Sequence, residues 1–163
     1  MIPKAPAQEF MLFHDVHRAH RSAILTALAR LGLQDVSQPK ALIFLATRQE
    51  QGTNQRELAD ALHISPATMA ASLKSLERRG YVTKQSDQRD GRCKLVQITQ
   101  KGLDAVERCL DAFKMVDEQL YAGFSQQEME QVTAFHRRML QNLYAIGADQ
   151  TPPCCPPTPQ ERK

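Results

Sequence analysis

The sequence predicts a mainly α-helical chain carrying one small β-hairpin. Three observations lead there. Apolar residues recur at helical spacing through six stretches. Helix-start residues (Asn54, Ser65, Thr99 and Ser125) stand at the head of four of them. A single pair of β-rich runs, Tyr81–Thr83 and Leu95–Ile98, flanks the turn signal Asp90-Gly91.

Taken in order, residues 3–6 are rich in Pro and Ala and are expected to fray. From about Gln8 to Leu31 the residues Phe10, Phe13, Val16, Ile24, Leu28 and Leu31 trace one long helix, ended near Gly32. That is longer than a small domain needs for its own core, so part of its apolar face is expected to meet another chain. Ser37 or Gln38 then caps a second helix with Pro39 in its first turn, where the missing N–H costs nothing. Ala41, Leu42, Phe44 and Leu45 form its apolar stripe.

Asn54-Gln-Arg-Glu57 reads as a capping box, with Asn54 accepting from the Glu57 N–H and Glu57 reaching back. The short helix behind it buries Leu58, Ala61 and Leu62. A second start follows almost at once: Ser65 as N-cap and Pro66 at the first helical position. This helix carries Met69, Leu73 and Leu76 inward and stops at Gly80. His63 occupies the tight turn between the two, where a left-handed backbone is needed and His tolerates it better than most residues. After the hairpin, Thr99 caps a long helix through Leu103, Val106, Leu110, Phe113, Val116 and Leu120. Ser125-Gln-Gln-Glu128 then opens a last one through Met129, Val132, Phe135, Met139 and Leu143. From Gly147 the chain is Pro-rich without periodicity and is expected to be disordered.

Bulk properties narrow the function. A chain of 163 residues suits one domain, or one small domain with helical extensions. With aromatic content of 6% and no Trp, a stacking platform for single-stranded nucleic acid is not expected. No apolar run approaches the roughly 18–20 residues of a membrane span. The N-terminus lacks signal-peptide features, so a cytoplasmic location without membrane attachment is expected. Cys93, Cys109, Cys154 and Cys155 show no paired C-x-x-C spacing and default to thiols. No nucleophile with a base, no Gly-rich phosphate loop and no metal-hydrolase spacing points to an enzyme, and no cofactor is expected.

Two short helices joined by about three residues, then a hairpin with a basic tip, make a winged helix-turn-helix. A helix fits the major groove of duplex DNA, with its N-terminal turn facing base edges and its free N–H groups favouring phosphate. That turn here is Ser65, Pro66, Ala67 and Thr68, followed by Ala71, Ser72 and Ser75, all small or hydroxylated. Lys74 lies further along the same helix, and Arg78, Arg79, Asn54 and Gln55 are assigned to the DNA backbone. The wing carries Arg89, Asp90, Arg92 and Lys94. An arginine there can enter a minor groove, and Asp90 can orient the Arg92 fork. From Asn54 to Lys101 nine Lys/Arg face five Asp/Glu, an excess of four against +3 for the whole chain. Phosphate contacts concentrate there, predicting affinity that falls steeply with salt. The same fold can serve as a protein–protein assembly module, but such a module has no need for Arg89 and Arg92 beside Asp90.

The segments Asn54–Leu62, Ile64-Ser-Pro-Ala-Thr68, Leu76-Glu-Arg-Arg-Gly-Tyr-Val82, Asp87–Arg92 and Leu95–Gly102 together resemble the multiple-antibiotic-resistance regulator (MarR) family, over about Phe10 to Leu143. The resemblance implies a homodimer with a winged DNA-binding lobe at 35–99 and dimerisation helices at 9–34 and 100–146, with residues 1–8 and 147–163 outside that pattern. It also implies binding to palindromic double-stranded operators, usually as a repressor. The family's wing Asp and Arg fall on Asp90 and Arg92. Ala70 and Ala71 depart from it, standing where many members carry a polar or basic base-contacting residue.

Members of that family commonly release DNA on binding a small organic effector, on thiol oxidation or on metal binding. The default expectation is an organic effector, or none, in a pocket lined by some of Phe13, His17, His20, Phe44 and Phe113. The metal alternative uses His14, His17 and His20, repeating every three residues, with His136 on the last helix. For thiol chemistry, Cys93 sits beside Arg92 and Lys94, while Cys109 is expected to be an apolar filler.

Overall fold

The structure, a computed structural model, describes residues 8–36, 38–49, 52–86 and 94–148. Among these residues there are six helices: α1 (Gln8–Arg30), α2 (Pro39–Ala46), α3 (Gln55–Ala61), α4 (Pro66–Arg78), α5 (Gln100–Leu120) and α6 (Gln126–Ala145). Three strands join them: β1 (Thr53–Asn54), β2 (Val82–Ser86) and β3 (Lys94–Ile98). The expected two-stranded wing is thus corrected to a three-stranded antiparallel sheet of order β1-β3-β2. Thr53 pairs with Val96 and Asn54 with Leu95, so the residues before α3 cover an edge of β3 that a bare hairpin would leave unpaired. Two residues are too few for an alternation pattern to announce.

The chain divides into two compact units. One comprises residues 36–107 and 124–163, the other residues 1–35 and 108–123. In the first, Leu42, Leu45, Leu58, Met69, Leu73, Leu76, Val82 and Val96 are all at most 1% exposed, and they form the centre of a core between α2, α3, α4 and the sheet. The first two turns of α5 belong here because of one close approach. A Cβ on Gly102 would collide with the Tyr81 carbonyl oxygen and lie 2.5 Å from an Ile98 side-chain carbon. Only glycine lets the helix start seat itself there.

Helix ends follow the sequence in most places. Ser65 Oγ accepts from the Thr68 N–H, and Ser125 with Glu128 forms both halves of a capping box. The bond from the Ser125 N–H holds the Glu128 carboxyl below its ordinary range. Two caps are corrected. Gln38 stands at the N-cap of α2 without a side-chain bond, and Ser37 lies outside the described residues. Asn54 accepts from the Glu57 N–H at 2.8 Å, but Glu57 does not close the box. Its carboxylate pairs instead with the Arg48 guanidinium, a stronger charge-assisted partner than a backbone N–H.

In the other unit α1 and the later turns of α5 bury Ala27, Leu28, Cys109, Ala112 and Val116, with Leu33 beyond the helix end. Arg108 donates to the Leu31 carbonyl, satisfying one of the free acceptors past α1. Cys109 is the apolar filler its spacing predicts. Burial pushes its thiol up to about 11, partly opposed by Arg108. No described helix is long and apolar enough to cross a membrane.

Replacing Gly102 by alanine is expected to destabilise the protein by about 1–3 kcal/mol, the usual cost of an overpacked site, read as a lower urea midpoint. Because the Cys109 thiol ionises less readily folded than unfolded, its contribution is complete below the ordinary thiol range and is lost as pH rises towards about 11. Urea midpoints of wild type and Cys109→Ala, measured across that alkaline window, should therefore fall more steeply for wild type.

Candidate nucleic-acid interface

The interface is built on α3, α4 and the wing, all within the first unit. His63, between α3 and α4, takes φ 50°, the left-handed backbone expected of it. This is the only positive-φ residue other than glycine among those described. The tight connection is closed by the Ile64 N–H donating to the Ala59 carbonyl at 3.0 Å.

Along α4 two faces separate cleanly. Met69, Ser72, Leu73 and Leu76 are buried, while Ser65, Pro66, Ala67, Thr68, Ala71, Lys74 and Arg78 are exposed. Ser72 is therefore a correction to the expected groove-facing set. At 8% exposed it lies three residues after Met69 and four before Leu76, on the stripe that seats the helix. Ser65 Oγ and Thr68 Oγ1 also bond each other at 2.8 Å. Asn54 and Gln55 are half-buried at the head of α3, with the Asn54 oxygen engaged in its cap.

Arg79 is exposed past the end of α4, and Lys94 is exposed at the first position of β3. Arg89, Asp90, Arg92 and Cys93 lie outside the described residues, as do Cys154 and Cys155. Lys84 on β2 is turned to Glu77, 3.3 Å away, and adds little free charge to the wing.

Sequence reasoning missed the clamp that sets the pitch of α4. Gly80 ends the helix at φ 77°, and the Tyr81 N–H returns to the Leu76 carbonyl at 2.9 Å. Thr99 Oγ1 donates to the Gly80 and Tyr81 carbonyls at 2.7 and 3.1 Å, and accepts from the Gly102 N–H at 3.1 Å. Lys101 Nζ donates to the Arg79 carbonyl at 2.7 Å and lies 4.7 Å from the Tyr81 ring centroid. The readable signal was Gly102 itself, a poor helix former placed inside a helix and so a mark of close packing.

Of the expected effector residues, Phe13, His17, His20 and Phe113 belong to one unit and Phe44 to the other. Phe13 and His17 are exposed on α1, Phe113 is half-buried on α5, and Phe44, on α2 in the other unit, lies 4.8 Å beneath Arg48. Between α1 and the later turns of α5 runs a groove of about 780 Å³, lined by Arg18, His20, Arg30, Val116 and small residues of α1. Of the five expected residues it includes only His20, whose Nε2 is 2.8 Å from Asp117 Oδ1. Among the described residues no three His, Cys, Asp or Glu side chains converge as a metal site would require. His14 sits edge-on to Phe13 instead, at 5.6 Å between ring centroids, and His136 is exposed on α6.

A helix pair crossing at a tight turn, followed by a hairpin on a small sheet, defines a winged helix-turn-helix protein. A model of the MarR family matches residues 31–92. The chain is 33% identical over 89 residues to the HTH-type transcriptional regulator YwaE of Bacillus subtilis (strain 168), covering 55% of this chain and 52% of YwaE, so it spans about half that relative's length. It is 28% identical over 109 residues to the transcriptional repressor MprA of Escherichia coli (strain K12), covering 67% of this chain and 62% of MprA. Its fold is similar to that of a mutant of S. aureus MepR bound to an oligodeoxyribonucleotide, with a TM-score of 0.59 at 26% identity, covering 85% of this chain and 99% of that one. Over residues 31–92 the chain is thus similar to the MarR family, and its fold is that of a winged helix-turn-helix protein.

Lys101→Met is expected to lower stability by about 1 kcal/mol, losing a charge-assisted hydrogen bond and an exposed cation–π contact. Lys101→Arg should recover most of that loss, with chemical denaturation of the three proteins as the measurement.

Proposed function

We propose that this chain is a homodimeric repressor that binds a palindromic double-stranded operator and is released by a small organic effector. The observation that carries the reading is the exposed N-terminal face of α4, capped by Ser65, on a helix whose opposite face is wholly committed to the core. In this reading α4 enters the major groove through Ser65, Pro66, Ala67, Thr68, Ala71 and Lys74. Arg89 and Arg92, oriented by Asp90, enter a minor groove, with Lys94 behind them on the wing. Arg78, Arg79, Asn54 and Gln55 meet phosphates. The likeness to the oligodeoxyribonucleotide-bound MepR mutant supports the DNA reading, and the similarity to MprA supports repression.

Support for self-association comes from apolar surface. No residue of α6 is buried, although it presents Phe135, Met139, Leu140 and Leu143, each about half exposed, followed by Ile146 at 82%. Met11, Leu12, Phe13 and Val16 are similarly exposed on α1. Residues 9–34 and 100–146 are accordingly the dimerisation segments and 35–99 the DNA-binding lobe. The α1–α5 groove, with Arg18, His20, Arg30 and Gln119 on an otherwise small or apolar lining, is the candidate effector site.

Duplex fragments retained from a genomic library, challenged with competitor DNA, test the reading. Affinity should fall steeply between low and moderate salt. Arg92→Ala should cost about 1–3 kcal/mol of binding, the range for a groove-reading arginine, while gel filtration still shows a dimer. A flat salt response, or retention of no fragment with and without candidate effectors, would count for an assembly module instead.

A further inference from the structure

The exposed face of α4 carries an unusual chemistry for a helix that reads bases. From Pro66 to Leu73 the sequence is Pro-Ala-Thr-Met-Ala-Ala-Ser-Leu, without a single Asn, Gln, Arg, Lys, Asp or Glu. Met69, Ser72 and Leu73 of this stretch are buried and Ala70 is half-buried, so the exposed members are Pro66, Ala67, Thr68 and Ala71. Bidentate recognition of guanine or adenine requires the forked or amide side chains that are missing here. The Thr68 hydroxyl, the one polar side-chain group among those four, is already tied to Ser65 Oγ at 2.8 Å.

What remains on this face is methyl. Ala67 and Ala71 are four residues apart and Thr68 and Ala71 three apart, so their methyl groups adjoin on one side of the helix. In the major groove one base edge offers an apolar group: the 5-methyl of thymine. Short side chains also allow the helix backbone to come close enough for that contact. Lys74, the first charged residue of the helix, follows only after this stretch and is placed for phosphate or a distal base.

We infer that Ala67, Thr68 and Ala71 read thymine 5-methyl groups, so that this chain recognises its operator half-sites chiefly by apolar contact rather than by side-chain hydrogen bonds to base edges. The inference rests on the proposed insertion of α4 into the major groove. It adds which chemical feature of the DNA is read there. Removing one buried methyl-sized group lowers affinity about fourfold.

The test uses a duplex selected by the full-length wild-type protein from a random-sequence pool, remade with deoxyuridine at one thymidine at a time. Uracil keeps every hydrogen-bonding group of thymine and lacks only the methyl. At one or more positions in each half-site the substitution is expected to weaken binding about fourfold. With Ala71→Gly the penalty at the position facing Ala71 should largely disappear, because the methyl partner has gone from the protein side.

Equal affinity for the thymidine duplex and for every deoxyuridine duplex overturns the inference. So does an undiminished penalty at every position in Ala67→Gly, Thr68→Ser and Ala71→Gly proteins, since the methyl would then act through DNA shape. If wild-type protein selects no duplex from the pool, it is the DNA reading itself that fails. Should Ala71→Gly not fold, wild-type protein on the deoxyuridine series together with Thr68→Ser still decides the matter.

Discussion

The seating of the α5 N-terminus on the end of α4 is the constraint from which the arrangement of the exposed α4 face follows. Gly102 admits the Tyr81 carbonyl where any side chain would collide with it. That approach brings the Thr99 hydroxyl onto the Gly80 and Tyr81 carbonyls and the Lys101 ammonium onto Arg79. Carbonyls at a helix end are strong acceptors that must find donors once water is displaced. Here Thr99 and Lys101, from one short segment, supply donors to the Arg79, Gly80 and Tyr81 carbonyls. The pitch of α4 relative to β3 and the start of α5 is thereby set by hydrogen bonds with definite directions, in addition to side-chain packing.

A surface held in this way can work with a plain chemistry. The outer face of α4 has few hydrogen-bonding groups to aim, and short side chains gain from a helix whose position is fixed, because van der Waals contact decays within fractions of an ångström. The cationic residues are distributed around that face: Lys74 and Arg78 further along α4, Arg79 past its end and Lys94 on the wing strand. Charge acts over longer distances than methyl contact and tolerates looser placement. In the proposed reading, phosphate attraction and base reading thus fall to different side chains with different demands on precision.

Outside the winged unit's core, apolar side chains remain in water to a degree that a self-sufficient monomer avoids. A 20-residue helix with no buried residue leaves about half the surface of its Phe135, Met139, Leu140 and Leu143 in water and gains correspondingly little from them. Its capping box at Ser125 and Glu128 organises its first turn locally, but burial of that apolar side needs another surface. The groove between α1 and α5, with the His20–Asp117 pair along it, is likewise incompletely covered.

Much of this could be read from the chain as written. Six helices, their order and four N-caps follow from apolar spacing and from short-range side-chain hydrogen bonds, which depend only on neighbours three or four residues away. The left-handed turn at His63 was legible too, since two helix signals stand close enough to need a tight turn and His tolerates that backbone. Tertiary structure alone decided what depends on partners distant in sequence. It added β1 to the sheet, turned Ser72 inward and drew Glu57 from its own cap to Arg48. Local periodicity states which side of an element is apolar; which side chains meet across the fold is set by how the elements pack, and no short stretch of sequence contains that geometry.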